Sequence, residues 1–506
     1  MFVRRKKNKS GIISVQIIDK SRGKYRVVCT VGSSSNPAEV ERLEQKGKQE
    51  IEHKLGQEKL YFEDGKENEL LDIFFKGIED LRLMGPELLL GKIFDEIGFN
   101  EIPDELFRHL VITRLVYPVS KLKTCDYLFK YKGILIDVER VYRYMDKLKK
   151  HQFEKIQHIS YAHTLKILPD LLSIVFYDVT TLYFEAEQED DFRKRGFSKD
   201  GKHQQPQIVL GLLVSAAGYP LAYELFEGST FEGHTLIPVI EIFREKYKLQ
   251  KVVVVADAGM LSEKNLQSIC VKGYLFIVAA RIKNESKPVR EEILSFKLKN
   301  KQSRIIPKEN SQKLIVSYSA KRARNDAFNR ERGLKKLEKA LQNGKLTKQH
   351  INNRGYNKYL KMDGKINISI DYAQFKEDKQ WDGLKGYLTN TDLEKEEVIR
   401  QYKQLWFVEK TFRISKSDLR IRPVFHYKKR RIESHICIAF AACKIYKELE
   451  RQLHKKKAGF SAEKAINILK TIYSLTIRMP HSNALHTRLI IKNKEQADLL
   501  NLFNIG

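Results

Sequence analysis

From residue 172 to residue 280 the chain alternates short apolar runs with amphipathic ones, in an order that few sheets accommodate. Leu172–Tyr177 is a mostly apolar strand that ends in Asp178. Gln207–Ser215 and Pro220–Phe226 read as two further strands joined by an Ala-Gly-Tyr turn, a hairpin. Thr235–Tyr247 is helical, Lys251–Ala256 is a valine-rich strand ending in Asp257, Leu261–Lys272 is helical, and Tyr274–Ala280 is another buried strand. Strands this apolar along their whole length are covered on both faces. The order β, ββ hairpin, α, β, α, β therefore predicts an α/β protein, a mixed sheet with helices on both faces.

That order is the one of the ribonuclease-H-like fold. In open α/β sheets, chemistry gathers at the carboxyl ends of strands. Asp178 and Asp257 both stand there, followed by Val-Thr-Thr and Ala-Gly. A single Asp in such a place often only caps a turn or the next helix. Two of them on neighbouring strands, with Glu409 from a later helix, make a three-carboxylate set. Hard oxygen ligands with open positions suit Mg²⁺ or Mn²⁺. Two such ions about 3.5–4 Å apart stabilise the attacking and leaving oxygens of an in-line phosphoryl displacement. No HExxH, GxSxG, dinucleotide-binding glycine pattern or Walker A motif competes. The loop at Gly85–Lys92 has the wrong glycine spacing for a phosphate loop, with Ile93 where Ser or Thr is needed. His426 and His435 lie near Glu409 in sequence and read as structural or phosphate-contacting residues, not metal ligands.

The stretch Tyr402–Lys416 reads as one helix with Tyr402, Glu409 and Lys416 at seven-residue intervals. Such residues share a face, drifting by about 20° per step. A helix that only packs a core would fill that face with Leu and Val. Here a hydroxyl, a carboxylate and an ammonium are flanked by Trp406 and Phe412, a face suited to holding metal and phosphate together; the bland alternative is a solvated edge.

The chain has 506 residues, 42% of them hydrophobic, and a formal net charge of +29 from 93 Lys and Arg against 64 Asp and Glu. A folded chain with that surplus points to a polyanionic partner, usually nucleic acid. Residues 281–370 hold 24 Lys and Arg against 8 Asp and Glu, more than half of the surplus. Strand-like Leu314–Ser319 and Ile366–Ile370 flank a helical Asn329–Gln342 and the cluster Lys321, Arg322 and Arg324, so the segment is expected to be a basic inserted subdomain. Cys29, Cys125, Cys270, Cys437 and Cys443 form no CxxC pair, which argues against a disulfide framework or a cysteine zinc site. No apolar core follows the basic Met1–Lys9, and the longest apolar runs are too short to span a bilayer. A soluble intracellular protein without membrane association is expected. The pattern divides as follows: residues 1–60, a basic hairpin and helix; 61–170, a helical DNA-binding region; 171–281, the first part of the catalytic core; 282–385, the basic insertion; 386–460, the second part of the core; and 461–506, a helical C-terminal region.

Four blocks carry a family resemblance. YDVTTLYFE (Tyr177–Glu185), GFSKDGKHQQPQIVLGLLV (Gly196–Val214), VVADAGMLS (Val254–Ser262) and YKQLWFVEKTFRISKSDLRIRPVFH (Tyr402–His426) stand in order. They resemble the first-Asp, following, second-Asp and Glu blocks of bacterial insertion-sequence transposases of the DDE type, in the group with the Tyr-x2-Arg-x3-Glu-x6-Lys signature. The resemblance implies that Asp178, Asp257 and Glu409 bind the two metal ions, and that Tyr402 and Lys416 contact phosphates near the cleaved end. Leu405 stands at the signature's arginine and cannot donate an arginine's hydrogen bonds; Arg413 is a candidate substitute. Trp406 and Trp381 are candidates for stacking on a displaced base, or core residues. The family further implies a strand-rich insertion and double-stranded DNA as partner, both transposon ends and target. Also implied are a homodimer on paired ends and a place on the nucleoid in the bacterial cytoplasm. Its reaction is end cleavage, then joining of the 3′-hydroxyls to target DNA, without a covalent protein–DNA intermediate. A structure-specific nuclease or an inactive transposase-derived DNA-binding protein are the alternatives.

Overall fold

The computed structural model describes all residues except 21–22, 55–64, 169–173, 199–200, 248–251, 258–262, 348–349, 353–354, 364–366, 481 and 506. Parts of the expected elements at residues 172–173, 251, 261–262 and 366 therefore lie outside the described residues. The chain forms two compact units, one of residues 1–80 with 476–487, the other of residues 81–475 with 488–506.

In the first unit, Phe2–Lys7, Ile13–Asp19 and Arg26–Ser34 form an antiparallel sheet in that order, with helix Pro37–Lys54 packed on it. Val15, Ile17 and Ile18 of the central strand are buried, as are Val40 and Ile51 of the helix. A hairpin was expected, but Phe2–Lys7 adds a third strand. A run of Arg and Lys reads as a tail. At a sheet edge, however, long cationic side chains stay in solvent while the backbone pairs, and Arg5 reaches Glu44 at 2.5 Å.

The second unit is built on one sheet. We label its strands β1 (Ile174–Tyr183), β2 (Gln207–Ser215), β3 (Pro220–Glu227), β4 (Val253–Ala256), β5 (Leu275–Ala280), β6 (Ser303–Pro307), β7 (Lys313–Tyr318) and β8 (Leu384–Thr389). Their order across the sheet is β6-β7-β8-β5-β4-β1-β2-β3. The neighbours β1, β4 and β5 run parallel, and every other pairing is antiparallel. The antiparallel hairpin β2–β3 beside β1, with β4 and β5 on its other side, is the ribonuclease-H-like arrangement expected from the sequence. Helices α1 (Leu236–Tyr247) and α2 (Glu263–Val271) cover one face through Leu236, Val239, Ile240, Phe243 and Ile269. Helices α4 (Lys395–Lys403), α5 (Trp406–Arg413) and α6 (Lys429–Lys455) cover the other, with α3 (Ala320–Gln342) lying earlier in the chain. Eighteen residues of α6 are buried, and it packs against helices Glu105–Val116, Val138–His151 and Phe153–Ile167.

Three local expectations change. The basic insertion contributes β6 and β7, which join through β8 to β5 and so extend the core sheet. The expected helical C-terminal region holds strands Tyr473–Arg478 and Leu485–Ile490, and the helical N-terminal region holds strand Ile78–Leu83. These strands are only six residues long and carry polar residues on both faces, so no clean period-2 alternation marks them.

Candidate active site

The two aspartates are aligned by the sheet. β1 and β4 pair parallel with Ile174 opposite Val253, Val175 opposite Val254 and Phe176 opposite Val255. The same offset carried two residues further sets Asp178 opposite Asp257. Paired strands lie about 4.8 Å apart and alternate residues share a face, so both carboxylates project from the face of Phe176 and Val255. That face is the one covered by α4, α5 and the turn between them, whose Val398, Tyr402, Leu405, Val408 and Phe412 belong to the same apolar cluster as Phe176 and Val255. Asp178 is half-buried and its Oδ1 accepts the Val179 amide at 2.8 Å. Asp257 is exposed, the first residue past its strand.

Tyr402 closes the site from above. Its side chain is 7% exposed and its hydroxyl donates to Asp257 Oδ1 at 3.0 Å. Burial and then the negative charge of Asp257 push the phenol above its ordinary range, with Glu409 adding to the shift. Lys385, on β8, sits 4.2 Å from the centre of the Tyr402 ring. Its ammonium is pushed down by burial and by Arg322, and held up by Asp257. A cavity of about 810 Å³ opens from Asp257, Tyr402 and Lys385 towards Arg322, Arg330 and Trp381 of the insertion. Within that wall Asp378 accepts from Lys283 at 2.7 Å, from Tyr359 at 2.8 Å and from Lys358. Burial alone would raise its carboxyl; these donors outweigh it and bring it down to about 2.

The single helix expected over Tyr402–Lys416 is broken. α4 ends at Lys403, α5 begins at Trp406, and Ile414–Asp418 is a wider π-type turn. Between them, amides bond three residues back, Leu405 to Tyr402 at 3.1 Å and Val408 to Leu405 at 3.0 Å. Tyr402, Leu405 and Val408 are spaced by three and all buried, a period that a tight turn satisfies and an α-helix does not. The seven-residue alignment of Tyr402, Glu409 and Lys416 is therefore replaced: Tyr402 points inwards, Glu409 is exposed on α5, and Lys416 is half-buried in the π-type turn. The departure at Leu405 has its reason here, since that position is 8% exposed and faces the core.

The remaining candidates divide. Arg322 lines the cavity. Lys321 and Arg324 are exposed on the first two turns of α3, which Ser319 caps by accepting the Arg322 amide at 3.3 Å. Arg413 is exposed, and its charge is felt at Asp418. Trp406 is 48% exposed and stacks on Phe407 with ring centres 4.2 Å apart, whereas Trp381 is buried in the insertion's core. Lys385 escaped the sequence reading; its signal was a lysine inside the apolar run Leu384–Thr389.

Among the described residues, no group of three or more His, Cys, Asp or Glu side chains stands close enough to hold a metal ion. The structure aligns Asp178 with Asp257 and leaves Glu409 exposed on α5, without gathering three carboxylates into one ligating group. The first strand does not end at Asp178 as expected but runs on to Tyr183, so Asp178 lies in mid-strand and Asp257 just past its strand; carboxylate oxygens so paired suit a hard divalent cation.

The fold is a ribonuclease-H-like mixed sheet with an aligned pair of aspartates at its parallel strands and the helices α4 and α5 over that face. The sequence matches the transposase DDE domain over residues 169–443, more than half of its length, and the chain belongs to that family. No curated protein matches it in sequence. Among solved structures it is similar to the piggyBac transposase in a synaptic complex with hairpin DNA, determined by cryo-EM. Identity is 10% and the TM-score 0.37, covering 77% of this chain and 79% of that one.

Proposed function

We propose that this chain is a DNA transposase of the bacterial insertion-sequence type with the Tyr-Arg-Glu-Lys signature. It binds the inverted repeats of its element, frees the 3′ ends and joins them to target DNA. The observation that carries the reading is the register of Asp178 and Asp257 on adjacent parallel strands beneath the Tyr402 hydroxyl. Mg²⁺ or Mn²⁺ held by Asp178, Asp257 and Glu409 would activate the attacking oxygen and offset charge on the phosphate. Glu409 joins the pair by rotation of its side chain. Tyr402 fixes the Asp257 carboxylate and is a positioning residue, not a nucleophile. Lys385 and Arg322 add positive charge on the DNA side of the cavity. Lys416, Arg413 and Trp406 meet the end DNA, and Lys321 and Arg324 meet more distant phosphates.

In the first step water attacks the phosphorus at the element's end, and the 3′-oxygen leaves with a proton as a hydroxyl. In the second that hydroxyl attacks a target phosphodiester, displacing its 3′-oxygen. Both are exchanges of one P–O bond for another. The protein acts as a homodimer on paired ends, in the cytoplasm, with residues 61–170 and the basic insertion at 282–385 holding DNA and residues 171–281 and 386–460 carrying the chemistry.

The test is an assay with Mg²⁺, a labelled duplex bearing the repeats that flank the gene, and a supercoiled target. Nicks at the repeat ends followed by joined products support the reading. Cutting without joining indicates a nuclease, and binding without cutting indicates a protein that has kept only DNA recognition.

A further inference from the structure

The three-stranded sheet of the first unit has two unlike faces. Residues opposite one another in register share a face, so Val3, Ile17 and Cys29 stand on one, and Arg4, Gln16 and Thr30 on the other. Helix Pro37–Lys54 packs on the first. A Cβ at its Gly47 would meet Val3 at 3.1 Å and Val31 at 3.2 Å, Arg5 pairs with its Glu44, and Cys29 donates to its Glu50 at 3.7 Å. The second face is polar. Arg4 Nη2 donates to Gln16 Oε1 at 3.1 Å, Asn8 donates to Ser14 Oγ at 2.9 Å, and the hydroxyls of Ser14 and Ser33 lie 2.7 Å apart. Lys6, opposite Ser14, is exposed, as are Thr30 and Ser33. At one end this face turns apolar: Ile18 is buried, and its neighbours in register, Phe2 and Val27, are 40% and 46% exposed. Charge divides in the same way. Residues 1–34 hold nine Lys and Arg against one acid, Asp19, whereas residues 37–54 hold four against five. Alternation along its strand puts Asp19 on the covered face with Val15 and Ile17, and Glu44 and Glu50 meet that same side. The uncovered face keeps its cations.

We propose that the uncovered face of this sheet reads duplex DNA in the major groove, with Arg4 and Gln16 on base edges and Lys6 on a phosphate. Sheets as well as helices enter grooves. The outer strands of a three-stranded sheet lie about 10 Å apart, within the roughly 12 Å width of the B-DNA major groove. Arginine donates to guanine O6 and N7, and glutamine pairs with adenine N6 and N7, so adjacent Arg4 and Gln16 suit adjoining base pairs. Their mutual hydrogen bond holds both side chains in place before DNA arrives, which lowers the ordering cost of binding. Thr30 and Ser33 add short hydroxyls that serve any base. The surplus of cations on the strands is complementary to a polyanion, and A-form RNA is excluded because its major groove is too narrow for side chains. Neither of the DNA-holding regions proposed above, residues 61–170 and 282–385, includes this sheet. That the duplex is the terminal repeat rests on the reading of the chain as a transposase.

The test selects sites for the full chain from a pool of random-sequence DNA duplexes. It is repeated with Arg4→Ala, Lys6→Ala and Arg42→Ala, the last an exposed cation of the helix, each checked for folding by thermal melting. Wild type is expected to enrich one sequence, and that sequence to lie in the repeats flanking the gene. Arg4→Ala should bind it about 10–100-fold more weakly and lose its preference at one guanine. Lys6→Ala should weaken every duplex alike, with a salt slope smaller by about 1, and Arg42→Ala should change nothing. Should Arg4→Ala fail to fold, wild type is read on duplex carrying 7-deazaguanine, which lacks the major-groove N7 acceptor. Weaker binding there supports the face, and unchanged binding overturns it. Arg4→Ala that enriches the wild-type sequence at wild-type affinity overturns the face and leaves the transposase reading standing. An RNA duplex bound as tightly as DNA overturns the major-groove assignment. An enriched sequence absent from the flanking repeats, with one position lost in Arg4→Ala, supports the face and overturns its link to the element's ends. Wild type that binds no duplex sinks both readings.

Discussion

Tyr402 spends its hydroxyl on Asp257 and its ring on the core, so its two roles separate by substitution. Tyr402→Phe keeps the ring packing and loses one hydrogen bond to a charged group, which costs about 1.5–3 kcal/mol at most. Cleavage is expected to slow while the fold persists, read from denaturant melts and initial rates on the same preparation; wild-type rates would show that Asp257 needs no such support. The aspartates themselves were legible in the sequence, because an acid directly after a wholly apolar run is conspicuous, although the first strand continues past Asp178 to Tyr183. The inward turn of Tyr402 was not. Its seven-residue spacing from Glu409 promised a shared face, and only the three-residue bonding around Leu405 reveals that the chain rotates differently. Leu405 itself was legible as a departure but not as a core residue.

At the scale of elements, α6 makes the sharpest claim. Lys444 is fully buried in it, donating to the Ser160 carbonyl at 3.0 Å and to Thr164, with the Tyr219 ring 4.4 Å away. Burial brings its ammonium down to about 7, against about 10.4 in the unfolded chain. Between those values the folded protein binds fewer protons than the unfolded one, so this group's contribution to stability rises with pH across that window and is at its worst below pH 7. Comparison of wild type with Lys444→Met should therefore show wild type gaining on the variant by up to about 1.4 kcal/mol per pH unit between pH 7 and 10. Parallel stability curves would mean that Lys444 titrates normally. A lysine within this helix reads as a surface residue until the packing of helix Phe153–Ile167 is known.

For the second unit as a whole, the insertion is part of the sheet and not an appendage. Leu314 and Val316 on β7 are fully buried in its core, so Leu314→Ala should cost about 2–5 kcal/mol. Calorimetry should show that loss in the transition of the core sheet, whereas a separate low-temperature transition would make the insertion independent. The sequence announced the insertion by its charge, but charge says nothing of strand order. The partnership of β7 with β8, some seventy residues later, is a long-range choice that no local pattern records. If the surplus charge grips DNA, affinity should fall roughly 10³–10⁵-fold between about 50 and 200 mM salt for six to ten neutralised phosphates. Replacing Lys321, Arg322 and Arg324 by Ala should flatten that dependence, and an unchanged slope would leave α3 a solvated surface.

The central claim is that Asp178, Asp257 and Glu409 act as one metal-holding set, and the most direct measurement is the cleavage rate of Glu409→Gln beside Asp178→Asn and Asp257→Asn. Each is read on repeat-bearing duplex with binding measured in parallel. The account predicts normal binding and a loss of at least about 10³-fold in rate for all three, equivalent to about 4 kcal/mol of transition-state stabilisation. A folded Glu409→Gln protein that cleaves at the wild-type rate would contradict it.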